Sequence, residues 1–274
     1  MVRRIMKSIK RLAAGLARRL GLLAAATDAF LFLKTKPWKE VGRRAKTVDG
    51  IALPSASLRF SAAGTADEEW FLQSGRAGAE VLREVFEELP RDTEPARILD
   101  FGCGCGRVLR HVARWQDVTP FGIDWNPRAV RWCRNNLPRA SVFRGGLGPP
   151  LPEVVADLDL VYAFSVFTHL PEDLQVAWLA ELSSRLCERG RLVLSTMGDA
   201  FADQLTDAER TSYDQGRLVL REPSVAGTNV CAAYHPPGSL ERLLPADLEV
   251  VRHVPEGARG NPPQDLVVVR KLSR

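Results

Sequence analysis

The stretch "RILDFGCGCGRVLRHV", residues 97–112, limits the fold more than any other part of the chain. Gly102, Gly104 and Gly106 alternate directly after an apolar run and directly before a helical pattern. A strand that feeds a glycine-rich turn opening a helix is a nucleotide-binding design. The glycines let the backbone approach a ligand closely, and the helix N-terminus favours partial negative charge. A dinucleotide fingerprint asks for G-x-G-x-x-G. Here the spacing is one residue shorter, and Asp100 precedes the first glycine by two positions. A second acid, Asp124, closes the next apolar run, where a carboxylate can accept protons from both hydroxyls of a ribose. Dinucleotide sites share that second acid. The first acid and the compressed glycines set this loop apart from a dehydrogenase.

The pattern around the loop repeats strand, turn and helix. "RILDF", "VTPFGID", "ASVF", "LDLVYAFS" and "RLVLST" read as strands. Residues 106–115, 127–136 and 171–188 read as helices, the second with Pro127 in its first turn and the third ending at Gly190. Alternation of this kind implies a mostly parallel sheet covered by helices. "LEVVRHV" and "DLVVVRK" read as two closing strands. Upstream, "TADE" predicts a capping box with Thr65 as N-cap and Glu68 three residues on. That helix runs to about Leu89 with a bend at Gly75. Residues 34–60 look irregular, broken by Pro37, Gly42, Gly50 and Pro54. Residues 199–233 interrupt the rhythm like an insertion.

Here the chain resembles the class I S-adenosylmethionine-dependent methyltransferases. "LDFGCGCG" is similar to their D-x-G-x-G-x-G motif, and "GIDWNPRAV" to their acidic second-strand motif. "DLVYAFSVFTHL" and "LCERGRLVLST" resemble the fourth-strand motif and the turn and fifth strand after it. The resemblance covers roughly residues 65–272, with four motifs in order. It implies an α/β, Rossmann-like fold: a seven-stranded, mostly parallel sheet whose last strand is antiparallel, with helices on both faces and an N-terminal helical extension. It implies S-adenosylmethionine as cofactor, bound across the carboxyl ends of the strands. By the same resemblance, Asp100, Gly102, Gly104 and Gly106, with Cys103 in the same loop, lie near the methionine end. Asp124 takes the ribose and Trp125 packs on the adenine. Ser165, Val166 and Phe167 line the place where the methyl is presented. The chain departs from the family after its third strand. There "FRGGLGPPLP" offers no acid or amide for the adenine amine, so backbone groups of Gly145 and Gly146 are expected in that role.

Methyl transfer to oxygen needs a base, and transfer to an amine needs only the neutral amine. The histidines are therefore the candidates for catalysis. His169 follows the fourth strand and is expected to face the cofactor. His235 ends an apparent strand in the variable region. His111 and His253 read as structural. Trp70, Phe71, Tyr213 and Tyr234 are candidates for an aromatic wall over the substrate. Gln264 and Asp265 read as a turn and a strand start.

The net charge of +5 is unevenly spread. Residues 1–46 hold 13 Lys and Arg against Asp28 and Glu40, while the remainder holds 25 basic and 31 acidic residues. A mildly acidic body disfavours nucleic acid as a partner. In residues 3–23, Ile5, Ile9, Leu12, Leu16, Leu20 and Leu23 fall on one helical face, with Arg and Lys mainly on the other. A basic amphipathic helix suits the surface of an anionic membrane, a second subunit of a homodimer, or the protein's own body. No run approaches the roughly 18 apolar residues of a membrane span. Five cysteines without framework spacing suit a reducing compartment, so a cytoplasmic enzyme is expected, peripheral to the inner face of the membrane. Cys103 and Cys105 have no second ligand pair at zinc spacing, so no metal is expected.

The organisation that follows is a basic leader and linker over residues 1–60 and a methyltransferase domain over 61–274, with 199–235 as its substrate region. The expected reaction is in-line methyl transfer to a small-molecule, saccharide or lipid-linked acceptor. The competing readings are a protein or RNA methyltransferase, and a non-catalytic binding module docked through its basic helix.

Overall fold

The computed structural model describes residues 47, 48, 50–89 and 95–273. The basic leader, including residues 3–23, lies outside the described residues. A short antiparallel pair, β1 (Thr47–Val48) and β2 (Ile51–Ala52), precedes helices α1 (Ala56–Ala63) and α2 (Glu68–Glu87). The alternating body follows: β3 (Ala96–Phe101), α3 (Leu109–Val112), β4 (Val118–Asp124), α4 (Pro127–Asn136), β5 (Ser141–Arg144), β6 (Leu158–Ala163), α5 (Glu172–Arg185) and β7 (Leu186–Thr196). Next come α6 (Asp207–Asp214), the hairpin β8 (Val219–Arg221) and β9 (Ala232–Tyr234), and the closing strands β10 (Leu248–Val254) and β11 (Asp265–Lys271).

Seven strands form one sheet in the order β10-β11-β7-β6-β3-β4-β5. The run from β7 to β5 is parallel, and β11 is antiparallel to both its neighbours. The expected sheet, with one antiparallel strand, is the observed one. Parallel strands covered on both faces read as continuous apolar runs, and neighbouring residues here enter opposite layers. Leu99, Val161 and Leu192 join Trp178, Leu179 and Leu182 of α5 on one face. Ile98, Tyr162 and Val193 join Val81, Leu82, Val85 and Phe86 of α2 on the other. Complete burial of each large apolar side chain contributes about 1.5–3 kcal/mol.

Several local expectations are corrected. Residues 34–60 are not irregular throughout, because α1 starts at Ala56. The Ser55 hydroxyl accepts from Leu58 N–H at its start, and Gly64 in the left-handed region ends it. Ser55 and Gly64 are the local sequence signals of this helix. The cap of α2 is Asp67, whose Oδ1 accepts from Trp70 N–H at 2.6 Å, while Thr65 Oγ1 accepts from Asp67 N–H. The helix passes through Gly75 unbroken. A Cβ at Gly75 would collide with the Arg107 carbonyl, so the glycine serves close packing of α2 on the glycine loop. Helix 106–115 shrinks to the four residues of α3, because left-handed Gly102, Gly104 and Gly106 keep residues 102–108 in turns. The helix read over 171–188 stops at Arg185, and β7 begins at once. Gly190 lies inside that strand and caps nothing.

The interrupted rhythm after residue 198 is real. This region carries α6 and the β8–β9 hairpin, and it is joined to the sheet where His235 N–H donates to Met197 O at 2.8 Å.

Candidate active site

In an open parallel sheet, ligands bind beyond the carboxyl ends of the strands where the strand order reverses. Here the chain runs from β3 outward through β4 to β5, then crosses back to β6 on the other side of β3. A cavity of about 180 Å³ opens at that point. Its floor is Phe101, Gly102 and Gly104 at the end of β3, and Asp124 and Trp125 at the end of β4. Gly145 and Gly146 after β5 and Ser165 and Val166 after β6 complete the sheet side. Eight of the residues expected to hold the cofactor therefore meet around one space: Gly102, Gly104, Asp124, Trp125, Gly145, Gly146, Ser165 and Val166.

The glycine loop is shaped by close contacts. Gly102 and Gly104 have φ of +79° and +51°. A Cβ on Gly102 would run into Val166 Cγ2, and one on Gly104 would stand 2.7 Å from Ala62 Cβ of α1. Asp124 ties the loop to β4. Its Oδ2 accepts from Gly104 N–H and its Oδ1 from Asn126 N–H, both at 2.8 Å. Burial pushes its carboxyl above the usual range, and the bonds from Asn126 and Gly104 pull it back. A carboxylate offers about four acceptor positions. Two are taken, leaving about one on each oxygen.

The remaining expected residues are placed elsewhere. Asp100 is buried under the loop and does not line the cavity. Burial pushes its carboxyl up to about 7, opposed by the Tyr162 hydroxyl and the Arg107 guanidinium. Arg107 is itself held by Ser74 Oγ, Gly260 O and Asn261 Oδ1, and it lies over the Trp70 ring at 5.6 Å. Cys103, Gly106 and Phe167 also sit behind the cavity wall. Cys103 packs against Gly122, Gly106 against Leu137 and Cys133, and Phe167 is fully buried in the core. None of these four residues lines the cavity.

The two histidines diverge. His169 lines the cavity. Its Nδ1 lies 2.6 Å from the carbonyl of Cys231, which can only accept, so Nδ1 carries the hydrogen and Nε2 keeps its lone pair. Burial lowers its pKa, with the Cys231 carbonyl opposing. His235 does not reach the cavity. It is buried, with Nε2 3.0 Å from Gln175 Oε1, and burial lowers its pKa to about 4. Gln175 in turn donates to Phe167 O and Leu170 O, so His235 braces the turn that carries His169.

The expected aromatic wall does not form. Phe71 is buried with Leu53, Leu58, Cys105 and Ala129, while Tyr213 and Tyr234 pack with Met197 and Phe201. The cavity's aromatics are instead Phe60, Phe101, Trp125 and Trp178. Gln264 and Asp265 are structural, as read. Gln264 Oε1 accepts from Ser165 and Ser195 hydroxyls, and Asp265 accepts from His253 and Glu256 N–H.

Two further walls complete the cavity: α1, through Leu58, Phe60, Ser61 and Ala62, which the sequence reading missed, and the segment 227–230, which lies within the expected substrate region 199–235. They are stitched together. Asn229 Nδ2 donates to Ser61 O at 3.1 Å, Trp125 Nε1 to Gly227 O at 3.0 Å, and Gly227 N–H to His169 O at 2.8 Å. The Ser55 and Gly64 caps could have revealed α1. Nothing local marks 227–230 as facing a ligand.

A glycine cradle, a ribose-type acid and a histidine at the switch point of this strand order define the class I methyltransferase fold. Comparison with known proteins agrees. Residues 98–190 match the family model described as a methyltransferase domain. The ribosomal protein L11 methyltransferase of Chromohalobacter salexigens is 31% identical over 134 residues, 47% of this chain and 41% of that protein. Ajmaline N-methyltransferase of Rauvolfia serpentina is 27% identical over 175 residues, 61% of this chain and 57% of that protein. The chain thus spans about half the length of the curated relatives it matches. Among solved structures, the CcbJ methyltransferase of Streptomyces caelestis shares the fold at 18% identity and a TM-score of 0.53, over 73% of this chain and 90% of that one. The glycopeptide N-methyltransferase MtfA, solved with S-adenosyl-L-methionine, does so at 13% identity and 0.51, over 72% and 94%. Residues 98–190 thus match a methyltransferase domain, and the chain carries the fold of class I S-adenosylmethionine-dependent methyltransferases.

Proposed function

We propose that this chain methylates a small acceptor held between α1 and the 227–230 segment, with His169 as the base. The observation that carries the reading is His169, which lines the same cavity as Gly102, Gly104 and Asp124 while its Nδ1 is engaged by the Cys231 carbonyl, leaving Nε2 as the basic nitrogen. The residues present fit the cofactor. Gly102 and Gly104 line the cavity in a tight left-handed turn where a Cβ would collide with Val166 or Ala62, and Asp124 retains two acceptor positions for the vicinal hydroxyls of a ribose. Trp125 and the backbone of Gly145 and Gly146 are assigned to the adenine end. Ser165 and Val166 are assigned to the methyl end. When bound, S-adenosylmethionine supplies an electrophilic methyl for in-line displacement, the C–S bond electrons staying on sulfur.

The chain's own part is positioning and proton removal. His169 Nε2 takes the proton of the acceptor hydroxyl or amine as the new bond to carbon forms. The Cys231 carbonyl holds the imidazole in the required tautomer and steadies the imidazolium that results. The stitched α1 and 227–230 walls orient the acceptor and limit water. The amphipathic pattern of residues 3–23 supports association with an anionic membrane surface as an accompanying proposal. A protein acceptor is the second reading. Its support is the identity to ribosomal protein L11 methyltransferases, which spans 41% of the first of these.

The test is calorimetric titration with S-adenosylmethionine, S-adenosylhomocysteine and NAD. Binding of the first two and not NAD is expected. Binding of NAD alone, or of none, overturns the reading.

A further inference from the structure

The cavity wall also limits what it can admit. Among the described residues it contains no Lys or Arg, and its ionisable side chains are Asp124 and His169. An anionic acceptor would find no cationic side chain in this wall to offset its own desolvation. The polar groups at the mouth are largely committed inward. Asn126 Nδ2 donates to Ser61 Oγ at 3.3 Å, and Thr228 Oγ1 to Val225 O at 2.7 Å. The indole N–H of Trp125 and the side-chain amide of Asn229 are taken up in the stitching described above. A sugar ring brings several hydroxyls, and each one desolvated without a partner weakens binding. Among the lining side chains, little remains to receive them beyond His169 Nε2, Asn229 Oδ1, the second Asn126 Nδ2 hydrogen, the Ser165 hydroxyl oxygen and the Ser61 hydroxyl proton.

The same mouth carries an apolar group in the open. Val230 is 60% exposed, the highest value among the exposed large hydrophobic residues. A lone exposed valine is ordinary on a protein surface. This one lines the same cavity as Leu58 and Phe60, on a segment whose Gly227 and Asn229 are hydrogen-bonded in place. We infer that the acceptor is an uncharged molecule with an apolar body, which packs on Val230 and presents a single hydroxyl or amine to His169. The inference rests on the methyl-transfer reading and narrows it away from sugars and phosphate-bearing polymers.

The test uses the full chain saturated with S-adenosylhomocysteine and titrated with two phenols of similar size. One is 4-butylphenol and the other 4-(4-hydroxyphenyl)butanoate, which adds a carboxylate. The neutral phenol is expected to bind about tenfold or more tighter. Val230→Asp should weaken the neutral phenol about fivefold or more and leave the affinity for S-adenosylhomocysteine unchanged. Equal or tighter binding of the carboxylate overturns the inference. So does absence of saturable binding by the neutral phenol, or indifference to Val230→Asp. Failure of S-adenosylhomocysteine to bind refutes the methyl-transfer reading instead. The phenol pair measured on the free protein then still reports the preference of the cavity.

Discussion

Replacing Asp124 by Asn tests the cofactor assignment with almost no change of shape. In the wild-type protein each carboxylate oxygen accepts one backbone N–H at 2.8 Å, from Gly104 and from Asn126. About two acceptor positions remain, one per oxygen, and they match two adjacent ribose hydroxyls. Hydrogen bonds to a charged group contribute about 1.5–3 kcal/mol each, and neutral ones about 0.5–1.5. The amide keeps one acceptor and turns the other into a donor. Loss of one charged bond and weakening of the other gives about 2–4 kcal/mol, or roughly 30- to 700-fold in affinity. The fold should change less. The amide leaves one backbone N–H facing a donor, but it also removes a carboxylate whose ionisation burial opposes. The assay is calorimetry with S-adenosylhomocysteine, with a melting curve as control. A variant that melts normally and binds within threefold of wild type would refute the ribose assignment. Comparable weakening of S-adenosylhomocysteine by Asp124→Asn and by a remote destabilising variant would refute it too.

Three other outcomes are expected. His169→Gln should lower turnover of a hydroxyl acceptor by about 10²–10⁴ and leave cofactor affinity unchanged. Because burial lowers the pKa of His169, the acid limb of the wild-type rate profile should fall below the ordinary value of 6.5 and vanish in the variant; a limb unmoved by the substitution assigns it to another group. Gly102→Ala should cost about 2–5 kcal/mol in denaturant unfolding, combining the left-handed φ of +79° with the collision against Val166, and a loss below 1 kcal/mol would show that the loop relaxes freely. Asp100 binds its proton more tightly when folded, about 7 against 3.8, so its contribution to stability is present below pH 4 and lost as pH rises towards 7. Asp100→Asn should therefore flatten the fall in stability across that window, by an amount on the order of a few kcal/mol, and an unchanged slope would place the titration elsewhere.

The sequence by itself determined the sheet and the half of the site that hangs from it. Runs such as Val118–Asp124 and Asp265–Lys271 are apolar because both faces of a strand are covered, so their limits could be read directly. The residues just past the ends of β3, β4, β5 and β6 follow from the same geometry, since a parallel sheet brings consecutive strand ends to one edge. Tertiary structure decided the rest. Asp100 and Asp124 are alike as letters, yet one faces the core beneath the glycine loop and the other the cavity. The two histidines are separated by packing as well: one sits in the turn after β6 and the other just past β9, and only the folded arrangement shows what surrounds each ring. The walls made by α1 and residues 227–230 come from segments more than 160 positions apart, joined by Asn229 to Ser61 O. No local periodicity encodes such a contact. It exists because the sheet, once folded, holds both segments at the same mouth.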